Sequence, residues 1–292
     1  MLQICRFFTG LLLLGCGMAG LSLAREAPGQ LLNLVLGGRE VAVPPPSGFV
    51  RVDGIWKAWD DMTATLLPAT NRRLAKYGTP EDLKRVEDSK VPDSTSDYDL
   101  QILRQFEDKD IGTRAFGELR QQIVEEITRS MGDLDKEMAK MSAKANDLLD
   151  KEYNVKSKLS IGKPVPLGTF VENDSMVGFS MLISVDDGTA DPEDNTASVV
   201  ACLMVPINGR LLYLYHSLPY RTEADQKNTE TGVLNWGQQV GAANPAFAGP
   251  SAKEKGIFGG AGRAALIGAV AGLVFFVVRK FSRKPDSKGP AV

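Results

Sequence analysis

Proton-transfer chemistry in this 292-residue chain would have to use His216, because it is the only histidine. Histidine is the side chain that most readily takes and returns a proton near neutral pH. Here it sits beside Tyr215 in an apolar run, with no cysteine, histidine or carboxylate at metal-ligand spacing around it. No Gly-x-Ser-x-Gly elbow lies beyond the N-terminal leader to supply a nucleophile, and no Walker-type loop is present. His216 therefore reads as a strand residue. Of the three cysteines, Cys5 and Cys16 fall in that leader, which leaves Cys202 with no partner for a disulfide; in its apolar run it reads as an inert thiol. Residues 186–195 gather five carboxylates, Asp186, Asp187, Asp191, Glu193 and Asp194. Calcium needs such oxygens, but the EF-hand spacing and closing Glu are missing, so a solvated hairpin loop is expected. Gly260, Gly262 and Ala265 match the letters of a dinucleotide fingerprint but open an apolar span instead of following a strand. No catalytic, metal or cofactor residue is predicted.

The charge balance adds little. With 34 basic and 36 acidic side chains there is no electrostatic pull towards nucleic acid, and no nucleic-acid partner is expected. A hydrophobic content of 43% suffices for a core of one large or two small domains.

The chain ends are more telling. Residues 257–278 are apolar except for Arg263, and Arg279, Lys280, Arg283 and Lys284 come directly after them. At 1.5 Å per residue such a helix reaches about 33 Å, enough to cross a bilayer core. At the other end Arg6 precedes an apolar run over 7–14, and Ser22 and Ala24 supply the small residues of a cleavage site between Ala24 and Arg25. The tetrad Leu13-Leu14-Gly15-Cys16 has the form of a lipoprotein box, but the residues after Cys16 are mostly apolar where a polar tether would begin. A cleaved leader exports the chain behind it, and the basic cluster keeps the C-terminus in the cytoplasm. The expected organisation is a signal peptide (1–24), an exported domain (25–243), a flexible stalk (244–256), a transmembrane helix (257–278) and a basic cytosolic tail (279–292). That is a single-pass protein of the cell inner membrane. Gly260, Ala264, Gly268 and Gly272 recur every four residues along the span. Small residues on one face let helix backbones approach closely, so this stripe is read as a helix–helix interface with itself or with another membrane or envelope protein.

The interior alternates between helical and strand signals. Gly37-Gly38 separates two short apolar runs as a hairpin would, and residues 48–52 form a strand before a helix over 55–67. Residues 72–77 form a strand. Thr79, Pro80, Glu81 and Asp82 have the order of a helix start: cap, proline at the first position, acids in the first turn. Tyr98, Leu100 and Ile102 alternate with polar residues, the pattern of a half-buried strand. From Thr113 to Tyr153 apolar residues including Phe116, Leu119, Ile123 and Ile127 recur at spacings of three and four, which predicts a long helical segment. Strands are expected at 167–170, 176–185, 198–206 and 210–216, the last two joined by Asn208-Gly209, the strongest hairpin signal in the chain. A closing helix over 222–240 turns Ala224, Val233, Trp236 and Val240 to the core.

The run 205–215 with its Asn-Gly turn, then residues 219–225 and Trp236, resembles the end of small exported bacterial proteins of the Mog1/PsbP/DcrB-like type. Residues 48–83 are also similar to envelope proteins with a Gly-Phe…Asn-Arg-x-Leu pattern. The resemblance spans about a third of the chain and implies an α/β/α sandwich without a catalytic signature; the long helical segment departs from the compact family pattern. The expected fold class is α+β, an antiparallel sheet with packed helices, plus one C-terminal transmembrane helix. The expected function is a membrane-anchored, non-enzymatic envelope protein whose exported domain binds a protein partner. The alternative is a membrane-tethered hydrolase using carboxylates or serine.

Overall fold

The computed structural model describes residues 29–247, apart from 66, 91, 93–95, 163, 187–195 and most of 130–159. The expected signal cleavage site at Ala24 and Arg25, the expected span with Gly260, Ala264, Gly268 and Gly272, the basic tail and most of the acidic loop lie outside the described residues. Among the described residues no helix is long and apolar enough to cross a membrane.

The architecture is α+β. Strands β1 (Leu32–Leu36) and β2 (Arg39–Val43) form the hairpin that Gly37-Gly38 predicts. A second, antiparallel sheet contains β3 (Val50–Arg51), β4 (Asn71–Gly78), β5 (Asp97–Leu103), β6 (Ser160–Ile161), β7 (Val165–Asn173), β8 (Met176–Asp186), β9 (Thr196–Ile207) and β10 (Arg210–Pro219). Its order is β3-β4-β5-β10-β9-β8, with β6 and β7 both paired to the outer edge of β8. The centre is made by β9 and β10, whose turn holds Asn208 at φ 45° and Gly209 at φ 78°. Both angles lie in the left-handed region that Asn and Gly tolerate and the twist of a tight hairpin requires.

Helices α1 (Lys57–Thr65), α2 (Pro80–Glu87) and α3 (Thr113–Arg129) precede β6, and α4 (Glu223–Ala242) closes the described fold. Thr79 caps α2 through a reciprocal pair with Asp82, as its sequence predicts. The apolar stripe of α3 is real in its first turns, where Phe116, Leu119 and Ile123 are fully buried.

One face of the sheet is covered by α4 and the β1–β2 hairpin together. Leu100, Ile102, Ala201, Leu203, Val205, Leu212 and Leu214 meet Val233, Trp236 and Val240 of α4 and Leu36, Val41 and Val43 of the hairpin. Ala224, expected in this core, is exposed; the buried face of α4 begins only at Thr229. Arg210 fastens the hairpin: Nε donates to the Leu36 carbonyl, Nη2 to Gly37, and Nη1 to Lys109 and to Asp110. Arg39 adds a two-pronged pair with Asp110. Arg39 foremost, then Arg210, hold the Asp110 carboxyl down at about 2 against the opposing effect of partial burial.

Strand β5 departs from expectation. Its alternation predicts one wet face, yet all seven residues are buried. The polar positions are taken up by buried partners on the second face. Lys76 Nζ lies 2.8 Å from Asp97 and 3.9 Å from Asp99, and Arg73 Nε donates to Asp99 at 2.7 Å. Gln101 donates to Asp99, Asn71 donates to Gln101, and Ser217 donates to Asp97. Arg73 also donates to Thr63 of α1, which places that helix on this second face.

Candidate functional site

His216 of strand β10 lies under α4, and both ring nitrogens are occupied. Nδ1 lies 3.0 Å from the Thr229 carbonyl in α4, which can only accept, so Nδ1 carries the proton. Nε2 then accepts from Ser96 Oγ at 3.1 Å. Tyr98, the cross-strand partner of His216 in the ladder, stacks flat on the imidazole. Phe49 approaches both rings edge-on. A side chain added at Gly232 of α4 would stand 2.5 Å from the Tyr98 hydroxyl and 2.7 Å from His216 Nδ1, so glycine is what lets the helix sit this close.

Ser96, His216 and the Thr229 carbonyl have the order of nucleophile, base and orienting group. Burial, only partly offset by the Thr229 carbonyl and by the charge of Asp97, lowers the imidazole to about 4. A base this weak gives a serine hydroxyl little help at neutral pH, since catalytic bases work best near the operating pH. The arrangement is better suited to fastening α4 on the sheet. Burial lifts the Tyr98 phenol to about 12, so it stays protonated at any physiological pH.

Above this cluster an open cleft of about 660 Å³ runs between α4 and Pro46-Ser47. Tyr98 and Trp236 form its floor, and Asn235, Gln238 and Gln239 stand along its helical wall. Trp236 Nε1 donates to the Pro44 carbonyl, which fixes the strap between β2 and β3 against the helix. Asn244, expected at the start of a flexible stalk, pairs with both backbone groups of Ala42, and the Phe247 ring lies under the Arg39 guanidinium. The chain just after α4 is therefore docked on the hairpin.

Cys202 is fully buried, and burial pushes its thiol well up in spite of a hydrogen bond with Tyr215, as the inert reading expects. Among the described residues no group of three or more His, Cys, Asp or Glu is placed to hold a metal ion. Ser96, Tyr98 and the amide row escaped sequence reasoning. The sequence marks both strands but not their pairing, and it is the register of β5 with β10 that brings Tyr98 and His216 together.

No protein-family model and no curated protein matches the chain. Among solved structures, a mutant of the protein Mog1 is weakly similar, with a TM-score of 0.27 and 14% identity over 74% of this chain and 94% of that one. The Ran-binding protein Mog1p of Saccharomyces cerevisiae matches with a TM-score of 0.23 and 13% identity, over 72% of this chain and 88% of that one.

Proposed function

We propose that this chain is an exported recognition domain, tethered to the cell inner membrane by residues 257–278, that binds a protein partner and carries out no reaction of its own. The observation behind the recognition half is the use made of His216. The one histidine is consumed in holding α4 to the sheet, while the open cleft beside it presents neutral carboxamides. The tether rests on the length and apolarity of residues 257–278 and on the basic residues directly after them.

Two measurements test the reading. Alkaline phosphatase fused after Lys255 should be active and fused after Val292 inactive; the reverse pattern overturns the topology. Affinity purification of the full chain from detergent-solubilised membranes should recover a protein partner in stoichiometric amount, whereas recovery of the chain alone, with no partner at any salt, overturns the recognition role. A second reading, a membrane-tethered serine hydrolase, is favoured by the 3.1 Å contact of Ser96 with His216. A fluorophosphonate probe separates the two: labelling of wild type that disappears in Ser96→Ala would establish the hydrolase.

A further inference from the structure

We propose that the cleft between α4 and Pro46-Ser47 is a docking groove for an extended, uncharged peptide segment of the partner. This rests on the reading of the domain as a protein-recognition module, and it names the surface and the chemistry that module uses.

The first observation is where the chain places its charge. The N-terminal half of α4 carries Glu223, Asp225, Lys227 and Glu230, whereas residues 231–247 contain no charged side chain. This is not a buried stretch: Thr231, Asn235, Gln238, Gln239, Gly241 and Ala242 are all exposed. A surface that keeps a small domain soluble and unassociated carries about 25–35% charged residues. Depletion of charge on an accessible face is a mark of the core of a protein interface. The cleft opens along this face, and none of its lining residues is charged, so it offers nothing to an anion or a cation.

The second observation is the amide row. Asn235, Gln238 and Gln239 are spaced i, i+3 and i+4, so they share one face of α4. Among the described residues no hydrogen bond engages any of the three side chains. Each carboxamide offers both a donor and an acceptor, the same pair that a peptide unit presents. Residues four apart on a helix are separated by about 6 Å along its axis. In an extended chain, groups pointing to one side recur every two residues, or about 6.7 Å. Asn235 and Gln239 can thus each meet successive same-side peptide units of one strand lying in the groove. Ala242, one turn beyond Gln238, adds only a methyl to the lining at that end of the row.

The same lining argues against a carbohydrate. Sugar rings stack on open aromatic faces, and here Trp236 is 1% exposed with its indole N–H already donated to Pro44. Tyr98 is 5% exposed, with one face covered by His216. What remains accessible is the polar edge of the groove.

The test pans a phage-displayed library of random twelve-residue peptides against the full chain in detergent. Enriched peptides are then titrated by fluorescence anisotropy. The selected sequences should lack Asp, Glu, Lys and Arg. Their affinity should fall at least tenfold for Asn235→Ala/Gln239→Ala and stay unchanged for Lys227→Ala, on the charged half of the same helix. These are exposed positions, and an unaltered circular dichroism spectrum confirms that each variant is folded. The proposal is overturned if no peptide is enriched, if the selected peptides are charged, or if they bind the double variant as tightly as wild type. Binding of chitobiose or maltose, lost in the double variant, with no peptide enriched, also overturns it. A partner recovered equally well from membranes by wild type and by the double variant keeps the recognition role and removes this groove from it.

Discussion

Tyr98 and His216 lie with their rings parallel to within 2° and their centroids 4.0 Å apart, on the face of the sheet that α4 covers. They are directly paired residues of β5 and β10, where cross-strand side chains come closest. The phenol ring shields the imidazole from the cleft, and Gly232 lets the helix close over both. Fold and cleft are thus coupled: whatever loosens His216 also moves the floor on which a ligand would rest.

The pH dependence of stability derives from that burial. His216 titrates at about 4 in the folded chain against 6.5 when free, so the unfolded state holds the extra proton between those values. Stability from this site is fully present above pH 6.5 and is lost as pH falls from 6.5 through about 4. The loss amounts to on the order of 3 kcal/mol at most. Urea denaturation in detergent between pH 7.5 and 4 should show this slope in wild type and a flatter one in His216→Gln. Parallel profiles for the two proteins would mean that another group carries the dependence.

Two glycines of α4 should respond in opposite directions to the same substitution. Gly232→Ala places a methyl against the Tyr98 hydroxyl and His216, while Gly241→Ala meets nothing within 4 Å. The first is expected to destabilise by about 1–3 kcal/mol through overpacking. The second should stabilise by about 0.5–1 kcal/mol, because alanine loses less backbone entropy in a helix. Denaturation midpoints at pH 7.5 decide it; a neutral Gly232→Ala would mean that α4 sits further from the sheet.

The buried ions on the other face make a sharper claim. Lys76 and Asp97 are 1% and 5% exposed, and Asp99 is fully buried beside them. Lys76→Met leaves the buried Asp97 without its cation, while Asp99 keeps Arg73, and should cost about 3–5 kcal/mol. Replacing Asp97 as well, in Lys76→Met/Asp97→Leu, removes one charge of each sign and should restore much of that loss, since apolar replacements of buried pairs are often neutral. A double-mutant cycle measures the coupling, and simple additivity would show that the two side chains do not act as a pair.

These ions also mark where the sequence misleads. The hairpin turns at Gly37-Gly38 and Asn208-Gly209, the cap at Thr79 and the buried stripe of α3 are all legible, because each is a local signal with a local cause. Strand β5 is not, because Asp97, Asp99 and Gln101 look like solvent-facing residues. Only the register that sets Asp99 opposite Lys76 and Gln101 opposite Arg73 shows that they are neutralised inside. The Ser96–His216 contact is hidden for the same reason, since 120 residues separate its members. Asn244 reads as the start of a loose stalk because nothing in its neighbours announces that its amide completes the edge of β2.

The last prediction concerns the span, where the sequence pattern itself makes the claim. Gly260, Ala264, Gly268 and Gly272 would lie along one face of a helix crossing the bilayer. Between two such helices the hydrocarbon supplies no hydrophobic drive, so association depends on close backbone contact that only small residues permit. Gly268→Ile or Gly272→Ile should therefore weaken self-association in a membrane two-hybrid assay, while Val270→Ile, on another face, should leave it intact. Loss in all three variants would indicate an insertion defect, which an expression and membrane-fractionation control detects. Equal signals in all three would return these glycines to ordinary membrane-helix composition and remove the helix–helix interface.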